Sequence, residues 1–165
     1  MQKSQYYIDQ LQLQPHPEGG WYAETYRSDV KQEFPDLKIQ GLRNLSTAIY
    51  FLIPDGSFSA FHRIKSDELW HHYDGGNLII VVINAAGELD VLKLGKDVEK
   101  GYYPQQLVKA GCWFASFPEL GADYVLCGCT VSPGFDFQDF ELAERAYFLE
   151  LYPQHEALIE KLTRN

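Results

Sequence analysis

From residue 46 onward the chain is written in short runs that alternate or stay apolar for roughly four to eight residues, then break at Gly, Pro or Asp. The runs are 46–53, 59–64, 68–73, 78–83, 89–94, 106–109, 112–117 and 124–131, and an earlier one at 21–27 alternates with period two. Breaks such as Pro54-Asp55-Gly56 and Asp74-Gly75-Gly76 leave no room between runs for a helix of ordinary length. Punctuation at about eight to twelve residues is the pattern of an antiparallel sandwich or barrel. Helical spacing is confined to the ends. Residues 4–13 carry apolar positions at Tyr7, Ile8 and Leu11, and 142–152 and 155–162 are split by Pro153. Residues 28–45 are polar and turn-rich, a connection between strands. The whole chain, 1–165, is expected to form one domain.

Aromatic residues make up 15% of the chain, a bias that suits half-buried pleated surfaces. The net charge of −9 repels phosphate backbones and anionic bilayers, so neither nucleic acid nor membrane is expected as a partner. The longest apolar stretch, 78–83, is too short to span a bilayer, and residues 1–7 lack the layout of a signal peptide. Cys112, Cys127 and Cys129 show no zinc spacing and read as reduced, packed thiols. A cytoplasmic protein is the expectation.

The chemistry-bearing stretch runs from Phe61 to Gly76. Alternation places His62 and Ile64 on one face of a strand, and Glu68, Trp70 and His72 on one face of the next. If both faces point inward, His62, Glu68 and His72 converge over Trp70. An imidazole beside a carboxylate in a desolvated aromatic pocket is a general acid–base pair in the making, because each shifts the proton affinity of the other.

A histidine, an acidic pair and then Gly75 seven residues after Glu68 resemble the first motif of the cupins. His16-Pro17-Glu18-Gly19-Gly20-Trp21-Tyr22, Ser46 to Leu52, Asp67-Glu68-Leu69-Trp70 and Pro133-Gly134-Phe135-Asp136-Phe137 resemble one branch of that superfamily, cupin type 5, formerly a domain of unknown function. The resemblance covers nearly the whole chain. It implies an all-β jelly-roll barrel of two antiparallel sheets with a few short peripheral helices at the termini, assembled as a homodimer. It also implies a fold like that of the dTDP-sugar 3,5-epimerases.

Metal-binding cupins carry further histidines where this chain has Ile64 and Phe114. No metal or other cofactor is therefore expected, and a metal would have to recruit His62, Glu68 and His72 together. The epimerases work without metal, with a histidine base, an acidic partner and a tyrosine. By that resemblance the catalytic candidates are His62, Glu68 (or Asp67) as its orienting partner, and Tyr50 in the 46–53 strand.

Thr47, Glu24, Arg27, Arg63, Trp70 and His72 are candidate ligand-binding residues. Arg27 and Arg63 suit bidentate recognition of an anionic group, although such arginines more often form surface ion pairs. His16, between two prolines, and His155 read as structural, and His71 faces away from the pocket. The function expected is a cupin that binds a small polar metabolite, sugar-like or nucleotide-sugar-like, and isomerises it by proton transfer. The alternatives are a non-catalytic ligand-binding cupin and a metal-dependent cupin enzyme.

Overall fold

A computed structural model of the chain describes residues 3–164. Among these residues thirteen strands follow the N-terminal helix α1 (Lys3–Gln10): β1 (Gln14–Pro15), β2 (Trp21–Arg27), β3 (Lys31–Glu33), β4 (Leu42–Asn44), β5 (Thr47–Pro54), β6 (Ser59–Arg63) and β7 (Asp67–Gly75), then β8 (Leu78–Ile83), β9 (Leu89–Leu94), β10 (Gln105–Val108), β11 (Trp113–Pro118), β12 (Tyr124–Ser132) and β13 (Glu141–Leu142). Helices α2 (Arg145–Leu151) and α3 (Glu156–Leu162) close the chain. A six-stranded sheet has the order β1-β2-β5-β12-β7-β10, and a five-stranded sheet the order β13-β6-β11-β8-β9. Strand pairing within both is antiparallel. This is the jelly-roll arrangement expected from the sequence.

The nine expected strands all form, within two residues at each end. The 28–45 connection contains the small β3–β4 hairpin, with Lys31 opposite Asn44. Residues 141–142 are an edge strand rather than the start of a helix, because Leu142 pairs with His62 and Glu141 with Arg63.

Several central strands are apolar on both faces, and the structure covers both. Phe51, Ile53, Ile80, Val82, Phe114, Val125 and Cys127 point between the sheets and form the main core. Their neighbours point outward. Leu52 and Leu126 pack with Leu13 under Tyr7, Ile8 and Leu11, next to helix α1. Val81, Ile83, Phe61 and Trp113 pack under Phe148, Ile159 and Leu162 of α2 and α3. The terminal helices are thus lids over the outer faces, which is why 78–83 reads as one unbroken hydrophobic run. Strand alternation then decides which side chains reach the space between the sheets.

Candidate functional site

A cavity of about 470 Å³ opens between the sheets. Its first wall comes from the loop joining β1 to β2, His16-Pro17-Glu18-Gly19-Gly20. The loop closes with the Gly19 amide donating to the His16 carbonyl and the His16 amide donating to the Gly20 carbonyl, at 2.9 and 3.0 Å. Gly19 and Gly20 have φ of +114° and +72°, and a Cβ on Gly19 would sit 2.2 Å from the Phe58 carbonyl oxygen. Only glycine fits that turn. The Glu18 carbonyl accepts from the Ala60 amide and from Arg164 Nε, so the loop tip is tied to β6 and to the C-terminus.

The turn delivers the Glu18 side chain inward. Ser59 Oγ donates to Glu18 Oε1 at 2.8 Å, and Glu18 Oε2 lies 3.1 Å from His62 Nε2 and 3.4 Å from His16 Nδ1. Glu18 and His62 are both almost fully buried. The carboxyl partner of His62 is therefore Glu18, and not Glu68 or Asp67. The sequence contained the signal in the His-Pro-Glu-Gly-Gly motif, but a loop carries no face, so its side chains could not be assigned inward by periodicity.

The protons of this cluster can be counted. His62 Nδ1 lies 2.7 Å from the Ala60 carbonyl, which only accepts, so Nδ1 carries a hydrogen. A neutral His62 then offers a lone pair at Nε2, and its contact with Glu18 requires one proton between the two atoms. Burial and the nearby Glu68 push the Glu18 carboxyl well above the usual carboxylate range, and burial lowers His62 to about 3. The resting pair is thus a neutral Glu18 acid donating to a neutral His62. His16 accepts from the Glu18 amide at Nδ1 and is lowered by burial to about 4, so it too is neutral near pH 7.

Glu68 projects into the same cavity from β7, as its strand position requires. Burial raises it to about 7, with the neighbouring Cys129 thiol acting in the opposite direction. No ion-pair contact within 4 Å joins it to a histidine among the described residues. Trp70 and His72 share its face but lie farther along the strand. At about 3.3 Å per residue, His72 is roughly 13 Å beyond Glu68. Trp70 is core, packed against Phe51 and Phe114, and His72 Nε2 donates to the Gly76 carbonyl at 2.8 Å. Neither lines the cavity, and the convergence of His62, Glu68 and His72 does not occur.

Strand β2 carries a correction of another kind. Its pairing with β5 runs Glu24 to Ile49 and then Tyr26 to Ala48, so Thr25 is an extra, bulged residue. Simple alternation places Glu24 and Arg27 on opposite faces, whereas the bulge turns both into the cavity mouth. There Arg27 Nε and Nη2 donate to the two oxygens of Glu24 at 2.9 and 2.7 Å. Its remaining N–H groups reach Asn44 Oδ1 and the Phe135 carbonyl. Thr47 also lines the cavity, and its Oγ1 accepts from the Phe135 amide at 2.9 Å. Arg27 and Thr47 together hold the 133–140 segment across the opening, with Phe135 and Phe137 at the mouth and His16 against Phe137.

Two further candidates point elsewhere. Tyr50 is one residue from Phe51 and therefore on the opposite face, in the outer cluster with Trp21 and Leu52 and against Tyr73. The tyrosine that does line the cavity is Tyr22, edge-on to His16 at 4.6 Å. Arg63 follows His62 and so faces outward, bonded to Glu141 at 2.7 Å and stacked on Trp113.

Ile64 lines the cavity and Phe114 packs on the His62 ring at 4.1 Å, in the places where metal-binding cupins carry histidines. Both His62 nitrogens are engaged, and no group of three or more His, Cys, Asp or Glu side chains among the described residues is arranged to hold a metal ion. The donor set does not fit a cupin metal centre. No helix is long and apolar enough to cross a membrane among the described residues.

Two facing antiparallel sheets enclosing a cavity define a cupin-type jelly roll. The chain belongs to the cupin superfamily, matching the family described as Cupin superfamily (DUF985) over residues 5–143. It is 32% identical over 144 residues to the uncharacterized protein YML079W of Saccharomyces cerevisiae, covering 80% of this chain and 71% of that one. A protein from Shewanella oneidensis superposes with a TM-score of 0.89 at 42% identity over 99% of both chains. A hypothetical protein from Leishmania major gives 0.89 at 37% identity over 98% of both. Oxalate decarboxylase from Bacillus subtilis shares the fold at a TM-score of 0.55 and 12% identity, over 90% of this chain and 36% of that one.

Proposed function

We propose that this cupin binds a small polar, sugar-sized metabolite in the cavity and moves a proton to or from a carbon next to its carbonyl group. The observation that carries the reading is the buried Glu18–His62 pair, held at 3.1 Å in the wall of a cavity of about 470 Å³. The pair holds one proton at rest and accepts a second when the ligand's C–H bond breaks. The electron pair of that bond moves into the enolate, and return of a proton to carbon restores the pair. Because both His62 nitrogens are occupied, the catalytic unit is the pair rather than the imidazole alone. Tyr22 is the phenol available to the cavity, in the role first expected of Tyr50.

The test is solvent-deuterium exchange into dihydroxyacetone followed by proton NMR. Wild-type protein is expected to accelerate exchange, and Glu18→Gln and His62→Ala to lose at least a hundredfold, the usual range for an acid–base group. Exchange by wild-type protein no faster than buffer rejects the catalytic reading.

A non-catalytic ligand-binding cupin is the second reading, favoured by the neutral resting state of the pair. It predicts saturable binding with no exchange. A homodimer is part of the proposal as well, with the exposed Tyr26, Tyr73 and Leu107 on the outer face of the six-stranded sheet as its surface. Sedimentation of Tyr73→Glu against wild type tests it: an unchanged mass of the dimer rejects that surface.

A further inference from the structure

The ionisable groups around the cavity are lopsided. Among the described residues, carboxyl groups enter it from Glu18, Glu24, Glu68 and Asp136, against a single guanidinium, Arg27, and no lysine. Arg27 has five N–H bonds, and all five are spent: on both Glu24 oxygens, on Asn44 Oδ1, and twice on the Phe135 carbonyl. It has no donor left for a phosphate or carboxylate on a ligand. Of the two imidazoles of the cavity, His62 is engaged at both nitrogens and His16 at Nδ1, and both are neutral near pH 7, so neither brings a positive charge.

Glu68 is the opposite case. It is 7% exposed, faces the cavity beside the Cys129 thiol, and forms no ion pair among the described residues. A buried carboxyl so poorly partnered is costly unless something brings it hydrogen-bond donors or positive charge. Apart from Gln14, Thr47 and the Cys129 thiol, the rest of the wall is apolar, and four of its residues are aromatic: Tyr22, Phe51, Phe135 and Phe137. Aromatic faces attract cations and offer nothing to anions.

We propose that the ligand of this cavity carries a protonated amine that is received by Glu68 and the aromatic wall, and that phosphate-bearing ligands, nucleotide sugars included, are excluded. This rests on the cavity being the ligand site and names the class of ligand it takes. Glu68 and Glu18 then have separate duties. Glu68 selects the charge, and the Glu18–His62 pair stands ready for chemistry elsewhere on the ligand.

The test is titration calorimetry of the intact protein at pH 7 with three probes on one ring: D-glucosamine, D-glucose and D-glucose 6-phosphate. Glucosamine is expected to bind at least tenfold more tightly than glucose, and the phosphate to give no heat. Glu68→Gln is expected to erase the preference for the amine. Tighter binding of the phosphate, no preference for the amine, or a preference that survives Glu68→Gln overturns the proposal. The wild-type ranking stands whether or not the variant folds. Amine preference without deuterium exchange removes the catalytic reading and leaves this one, and exchange without amine preference does the reverse.

Discussion

Glu18 Oε2 lies 3.1 Å from His62 Nε2, while the other His62 nitrogen is committed to the Ala60 carbonyl at 2.7 Å. That relationship leaves one proton to be shared by two buried groups, and the chemistry open to the cavity depends on which of them holds it. Ser59 donating to Glu18 Oε1 marks that oxygen as the acceptor end, which leaves Oε2 as the hydroxyl end of a neutral acid.

Replacing Glu18 by Gln keeps a donor toward His62 Nε2 and an acceptor toward Ser59, but removes the transferable proton. Unfolding of Glu18→Gln is expected within about 1 kcal/mol of wild type, because the hydrogen bonds are conserved in number. Denaturant titration checks this. A loss of several kcal/mol would show that Glu18 is charged in the resting protein.

Glu68 makes stability depend on pH in a stated direction. Its folded proton affinity is raised from 4.5 to about 7, so the folded state favours the protonated form. Its contribution is therefore fully present below about pH 4.5 and is lost as pH rises through 7. At about 1.4 kcal/mol per tenfold change in proton affinity, the loss is roughly 3 kcal/mol. Glu68→Gln is expected to raise Tm by about 5–10 °C at pH 8, and by much less at pH 5. Thermal melts at the two pH values read it directly, and equal shifts at both would contradict it.

Asp74 fastens the N-terminal helix. It accepts from Tyr7 at 2.8 Å and Tyr124 at 2.7 Å, with Lys3 Nζ at 2.9 Å, and these partners hold its carboxyl well below the usual range. A depressed carboxyl contributes stability that is lost as pH falls below about 3.8, its ordinary value. Asp74→Asn is expected to cost about 1–2 kcal/mol and to speed amide exchange in residues 3–10 before the rest of the molecule. Hydrogen-exchange mass spectrometry distinguishes this from uniform destabilisation.

Phe148 locks the C-terminal helices onto the outer face of the five-stranded sheet, with its ring 5.1 Å from Phe61 and 5.0 Å from Trp113. It is 1% exposed. Phe148→Ala is expected to cost roughly 3–5 kcal/mol through lost burial and an unfilled cavity. Equilibrium denaturation measures it, and the preference among cavity ligands should survive, since the opposite face of that sheet carries the site.

Arg27 is expected to act as a strap. Arg27→Lys retains the charge but cannot span Glu24, Asn44 and Phe135 at once. Faster amide exchange in residues 135–140, with the sheets unchanged, is the outcome that checks it.

Alternation along the sequence determined the two sheets, the inward faces of His62 and Glu68, and the outward course of their neighbours. Period two is local physics, and it survives folding wherever a strand is regular. The same rule, applied strictly, assigns Tyr50 outward beside Phe51, so its candidacy rested on the resemblance and on its place in the 46–53 strand, and not on its face. The Thr25 bulge broke the rule in β2, because an extra residue is visible only against a paired strand. Tertiary structure alone decided that Glu18, on a glycine turn, meets His62 across the cavity, and that four residues of strand keep His72 away from Glu68. It also decided that Arg27 is saturated. Such facts depend on distances between segments far apart in the chain, and periodicity carries no information about what lies across from a side chain.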